Sequence, residues 1–144
     1  MDLSEIEEKF LEKDTFLIIT DQTKPAIKTT VKTLKEAGKK VYVADVSGKP
    51  IDADFKKIAE IPVGFENVII GIKYTDPGFL IKPLEEKGAK KIWIHWRTTT
   101  KKVKEVCQES NVQCIMGKCP MMYLGKDYSI HGLHRSIAKL LGKY

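Results

Sequence analysis

Arginine, cysteine and long apolar runs are all scarce in this chain, and each shortage removes a class of protein. Arg97 and Arg135 are its two arginines, although Lys and Arg together number 25 and the formal net charge is +6. The lysines are spread, in pairs such as Lys39-Lys40, Lys56-Lys57, Lys90-Lys91 and Lys101-Lys102. Readers of bases and backbone phosphates cluster arginine for its planar fork. This basic balance therefore describes solvated surface, or one suited to a phosphate-bearing small molecule, and no nucleic-acid partner is expected. No apolar run reaches the ~20 residues needed to cross a bilayer, so no membrane partner is expected either. Residues 1–14 are acidic and amphipathic, without the basic start and apolar core of a secretion signal, and a cytoplasmic location is expected. Three cysteines, Cys107, Cys114 and Cys119, are an odd count for a disulfide framework, so reduced thiols are expected.

What is present is an alternation of strand and helix patterns over 144 residues, 42% of them hydrophobic. That length suits one domain, residues 1–144, able to bury roughly 68–70% of its unfolded surface. A Ser4/Glu7 pair caps a first helix, 4–13, with Ile6, Phe10 and Leu11 on one side. A strand follows at Thr15–Thr20, then a helix from Pro25 to about Ala37, opened by proline and closed by Gly38. Next come a strand Lys40–Asp45, a short helix Asp54–Glu60 with Phe55 inward, and a strand Asn67–Lys73. Asp76-Pro77 starts a helix that Gly88 ends. Residues 88–122 then read as strand, amphipathic helix and strand, with Trp93 in the core and Val103, Val106 and Cys107 on one helical stripe. A last helix is expected over 129–141.

Repeated β-α-β units imply parallel pairing and right-handed crossovers. The expected architecture is an α/β three-layer Rossmann-like sandwich around a five-stranded parallel sheet, order 3-2-1-4-5. The helices 4–13 and 129–141 are additions to it. Ligands of such sheets sit at the carboxyl ends of the strands. His95-Trp96-Arg97 and Lys118-Cys119-Pro120 occupy such places.

The succession resembles the CoA-binding protein family of Rossmann-like fold, which also supplies the amino-terminal domain of succinyl-CoA synthetase α subunits. The segments FLIITDQTKPA, VYVAD, KKIAEIP, NVIIGIK, GAKKIWI and NVQCIMGKCPMM carry the likeness, from about Phe16 to Met122. It departs from the family pattern at the first turn. Where the family carries Gly-Ala-Ser-x-x-Pro, this chain has Thr20-Asp21-Gln22-Thr23-Lys24-Pro25, and the asparagine-proline after strand two is Asp45-Val46. Glycine there lets a pyrophosphate approach the backbone N–H groups at a helix start. Thr20 takes up part of that room and Asp21 adds negative charge, while Gln22, Thr23 and Lys24 offer hydroxyl, amide and ammonium groups in return.

The resemblance implies a ligand, CoA or a related nucleotide, across the crevice between strands one and four. Thr20, Asp21, Gln22, Thr23 and Lys24 would meet its phosphates, with Asp45 and Val46 toward the adenosine and Lys73, His95, Lys118 and Cys119 along the rest. Read from the residues alone, Thr20–Lys24 is equally an ordinary polar loop. Asp45 lies 25 positions after Thr20, near the offset at which an acid accepts the ribose hydroxyls of NAD, so NAD is the alternative cofactor. Cys119 beside Lys118 is a candidate nucleophile, because a neighbouring cation favours the thiolate, and His95 is a candidate base. Cys114, Cys119, His131 and His134 form the alternative of a zinc site; otherwise no metal is expected.

No nucleophile, base and orienting group are placed together by spacing. The expected function is thus a small cytoplasmic CoA- or nucleotide-binding protein without turnover of its own. One alternative is a thiol-dependent or NAD-linked enzyme using Cys119. Another is a degenerate family member serving as a protein-interaction scaffold. A homodimer is compatible with the pattern, through an edge strand, the last helix or the rim formed by Met116, Met121, Met122 and Tyr123.

Overall fold

Runs of branched and aromatic residues form five strands among the described residues, and the three central ones are covered on both faces. In the computed structural model, which describes residues 9–50, 53–95 and 98–118, these are β1 (Thr15–Thr20), β2 (Lys40–Asp45), β3 (Asn67–Gly71), β4 (Lys91–His95) and β5 (Gln113–Lys118). Helices α1 (Pro25–Glu36), α2 (Gly78–Glu86) and α3 (Lys101–Glu109) connect them. All four pairings are parallel, in the order β2-β1-β3-β4-β5. The α/β Rossmann-like class is as expected. The expected helix 129–141 and residues 4–8 of the expected helix 4–13 lie outside the described residues, while residues 9–11 are helical.

Strand alternation sorts the core into two layers. Phe16, Ile18, Val41, Ile69, Trp93 and Ile115 face one side, where Ile27 and Leu34 of α1 join Phe10 and Leu11. Phe10 meets Trp93 edge-on at 5.4 Å. On the other side Leu17, Ile19, Val68, Ile70, Ile92 and Ile94 receive Ile81 and Leu84 of α2 and Val103 and Val106 of α3. Among the described residues no helix is long and apolar enough to cross a membrane.

The third place in the sheet is filled differently from the sequence expectation. β3 lies against β1, opposite β2, and not at the far edge. Beyond β2 there is one parallel bridge, Ala44 with Phe55. Val43 O accepts from Asp54 N and Phe55 N, Phe55 O accepts from Asp45 N, and the Asp54 carboxylate accepts from Val43 N. Those bonds hold Phe55 extended, so the helix expected over Asp54–Glu60 shrinks to a 3-10 turn at Ile58–Glu60. With the bridge counted as a minimal third strand, the order becomes 3-2-1-4-5-6, the doubly wound arrangement.

Two glycines mark close approaches. A methyl group at Gly71 would lie 2.4 Å from Cγ1 and Cδ1 of Ile27, so α1 can rest on the sheet only because β3 has no side chain there. One at Gly78 would lie 2.9 Å from Val103 N, so this glycine sets the separation of α2 and α3. The same pair of helices is tied at their starts. Asp76 Oδ1 accepts from Gly78 N and from the Thr100 hydroxyl, which itself accepts from Val103 N.

The expectation of reduced thiols fails for two of the three cysteines. Cys107, at the end of α3, and Cys114, in β5, are joined in a disulfide. The turn between them doubles back and brings their Cα atoms to 6.2 Å, within bridging range. Spacing alone hides this, because the two residues belong to different elements.

Two outcomes are expected. Gly71→Ala should cost about 1–3 kcal/mol in urea denaturation, as overpacking does. Its cost should fall in an Ile27→Ala background, where the clashing group is gone; equal costs in both backgrounds would place the strain elsewhere. Thiol titration of the denatured, unreduced protein should find no more than one free thiol per chain, and reduction should lower stability by about 2–3 kcal/mol, as for a short closed loop.

Candidate functional site

The order of strands reverses at β1, which has β2 on one side and β3 on the other. Connections leave this point in opposite directions, so a crevice opens beyond the carboxyl ends of β1 and β3. The sequence reading put the crevice between strands one and four. β3 takes the fourth place once the Phe55 bridge is counted as the third strand.

Parallel register sets the last rung of the sheet. Thr20 pairs with Asp45 on one side and with Gly71 on the other, while His95 pairs with Lys118. Ile70 pairs with Ile94, which puts Gly71 beside His95. Four residues singled out in the sequence, Asp45, Thr20, His95 and Lys118, are thereby brought to one edge. They do not form one site. Ile27 fills the gap that Gly71 leaves, and this apolar side chain stands between Thr20 and His95. His95 is 2% exposed, and its carbonyl accepts from the Thr98 hydroxyl and amide. Such burial leaves it little surface for a ligand.

Asp21 has the most consequential position. It is 3% exposed and its carboxylate lies in the crevice itself. Oδ2 accepts from Lys73 N and Tyr74 N, each at 2.8 Å. Oδ1 accepts from Thr23 N at 3.1 Å and from the Thr23 hydroxyl in a short bond. Burial pushes the acid upward and is the largest single influence. The bonds from the Thr23 hydroxyl and from the amides of Tyr74, Lys73 and Thr23 outweigh it, and the carboxyl is held below its ordinary value. Asp21 is therefore an anion at neutral pH, held by backbone N–H groups.

Gln22 closes the adjoining loop. Its φ is 66°, its amide donates to the Thr20 hydroxyl, and its side-chain Nε2 donates to Asp45 Oδ2 at 2.6 Å, Ser47 Oγ at 3.2 Å and Lys49 O at 2.8 Å. The other Asp45 oxygen accepts from Ser47 N. Both oxygens of the acid that sequence spacing matched to a ribose contact thus already serve the protein. Beside this loop runs a groove of about 280 Å³ between α1 and β2. Ile27, Val31 and Val43 line its apolar part, Lys28 and Lys35 its rim, and Thr20, Gln22 and Asp45 its polar end. Lys24 is half-buried at the start of α1, and Lys73 is exposed after β3.

Among the described residues no group of three or more potential ligands is placed to hold a metal ion. Cys114 is bonded to Cys107, which corrects its place in the zinc alternative. Cys119, His131 and His134 lie outside the described residues. The sequence reading missed Gly71 and Ile27, the amides of Lys73 and Tyr74, and Ser47. A glycine inside the branched run NVIIGIK signals close backbone approach and was the available clue to the first pair. Nothing local signals the others.

The profile of a family described as CoA binding domain matches residues 19–125, from the end of β1 beyond β5. No curated protein matches the chain. Several solved structures share the fold. A conserved hypothetical protein from Pyrococcus furiosus is 17% identical with a TM-score of 0.63, covering 76% of this chain and 97% of its own. A hypothetical protein from Pyrococcus horikoshii OT3 is 17% identical with a TM-score of 0.62, covering 84% and 88%. Prb, described as a PH1109 protein redesigned for binding, is 17% identical with a TM-score of 0.66, covering 100% and 95%. At such identity these likenesses speak for the fold alone.

The direction of the Asp21 shift sets a pH dependence. A carboxylate held low in the folded state contributes stability that is full above the ordinary carboxyl value and is lost as pH falls through the folded one. Asp21→Asn should be less stable than the natural chain at neutral pH, and the difference should shrink as pH drops below about 4. Denaturation midpoints at stepped pH measure this; a gap that stays constant into acid would show that the carboxylate charge is not what the amides hold.

Proposed function

This chain belongs to the CoA-binding domain family, and on that premise we propose that it is a small cytoplasmic protein that binds CoA or a related nucleotide without turnover of its own. The observation that carries this reading is the groove at the carboxyl ends of β1 and β2. Its apolar part (Ile27, Val31, Val43), its two rim lysines and its polar end suit a nucleoside that carries anionic groups. At about 280 Å³ it takes the nucleoside end and not a whole CoA. The remainder of the ligand runs along the open edge of the sheet.

The adenosine end lies toward Asp45 and Val46. Its phosphates lie over Thr20–Lys24, where Lys24 and Lys73 supply ammonium groups and Thr20 a hydroxyl. The pantetheine end runs on along the sheet edge toward β5, without calling on the buried His95. In this reading the chain binds and orients the ligand, and CoA itself brings the thiol. NAD is less well served, because Asp45 accepts from Gln22 and Ser47 already.

A scaffold role is the second reading. One observation favours it: Tyr74 and Phe79, 81% and 59% exposed, stand after β3 and on α2, beside a crevice that Asp21 fills. Such aromatic surface is of the kind partners bury.

Calorimetric titration of the protein with CoA, dephospho-CoA and NAD separates the readings. Saturable binding with CoA preferred supports the CoA reading, and Lys24→Ala should then weaken it by about tenfold, the worth of one charged contact. Full affinity in Lys24→Ala would displace the phosphates from the first turn. Absence of heat with all three nucleotides would favour the scaffold.

A further inference from the structure

We propose that Asp21 is a built-in substitute for a ligand oxyanion, so that the crevice between β1 and β3 excludes phosphate and the protein selects its ligand against a phosphoryl group at that point. The inference rests on the reading that the ligand's phosphates lie over Thr20–Lys24, at the mouth of this crevice, and it adds what the crevice rejects.

Three features carry it. Lys73 N and Tyr74 N are consecutive amides that converge on one oxygen, Asp21 Oδ2, at equal distances of 2.8 Å. Successive N–H groups aimed at one point form a concavity that binds anions, and in this fold the crevice is where a phosphate would approach. The third amide and the hydroxyl come from Thr23, on the opposite wall, just before α1. Lys73 and Tyr74 lie 52 and 53 residues beyond Asp21 in sequence, so the four donors surround an anion from both sides, as they would surround a phosphoryl group. The occupant is 3% exposed and belongs to the chain.

With those donors satisfied, a second anion would gain no amide and would meet a buried negative charge. A phosphate can still be held by lysine side chains at the rim, but not by the backbone. Asp21 thereby turns an anion-binding turn into a self-completed one that already carries its own negative charge, and ligand preference shifts toward whatever places its charge outside the crevice.

The test removes the occupant and offers a replacement. Asp21→Ala and Asp21→Ser are prepared in the full chain beside the natural protein. Thermal unfolding is followed against inorganic phosphate, with sodium chloride at equal ionic strength as control. Both variants should melt below the natural chain and regain stability saturably with phosphate. Their apparent phosphate affinity should exceed that of the natural chain by at least about tenfold, a single charge-assisted contact being worth that much. Equal phosphate responses in all three chains overturn the proposal. So does failure of both variants to fold in phosphate, because a cradle able to accept the ion would be restored by it. CoA binding is read separately on the natural chain. CoA binding without a phosphate gain in the variants would sink the proposal alone, whereas a phosphate gain with no CoA binding by the natural chain would keep it and remove the ligand reading.

Discussion

Beyond the last rung of a parallel sheet the backbone bonds between strands stop, and at the point where strand order reverses nothing in the crossovers draws the two loops together. In this chain the Asp21 carboxylate does so. It takes amides from the loop after β3 and from the turn after β1, and so joins two segments more than fifty residues apart. Burial alone would make such a charge costly. The four donors offset that cost and keep the acid ionised. The start of α1, the loop after β3 and the crevice between them all depend on this anion being in place.

The neighbouring contacts repeat the theme of polar groups consumed by the fold. Gln22 spans from the first turn to the loop after β2 and engages Asp45, Ser47 and Lys49. Thr100 and Asp76 join the starts of α2 and α3. What is left toward solvent around the edge is mainly lysine, with two aromatic rings, Tyr74 and Phe79, the second under the Lys102 ammonium at 4.4 Å. A surface of this composition can meet an anion only through side chains, and such exposed contacts are more strongly screened by salt than a backbone cradle in a buried crevice.

Much of the fold was legible in the residues, and much of the site was not. Alternation in FLIIT and KVYVAD, proline at the start of α1 and glycine after it, and the stripe Val103-Val106 are local signals that respond to period and to φ. Asp54–Glu60 misled because its apolar spacing suits a helix, while Asp54 and Phe55 are captured by β2 through backbone bonds that no local pattern encodes. Asp21 was recognisable as an intruder in a phosphate turn, but its partners were not, since they are main-chain amides and any residue could supply them.

By itself, then, the sequence determined the class of fold, the number and parallel sense of the strands, the two apolar layers and the absence of a glycine turn for phosphate, because each follows from the period, size and charge of neighbouring residues. Tertiary structure alone decided the rest: that β3 lies against β1, that Cys107 and Cys114 meet, that Ile27 rests on Gly71, and that the acid in the first turn is surrounded by amides rather than facing a ligand. These are relations between segments distant along the chain or lodged in different elements. They exist only once the register of the sheet and the packing of α1 and α3 have brought those segments together.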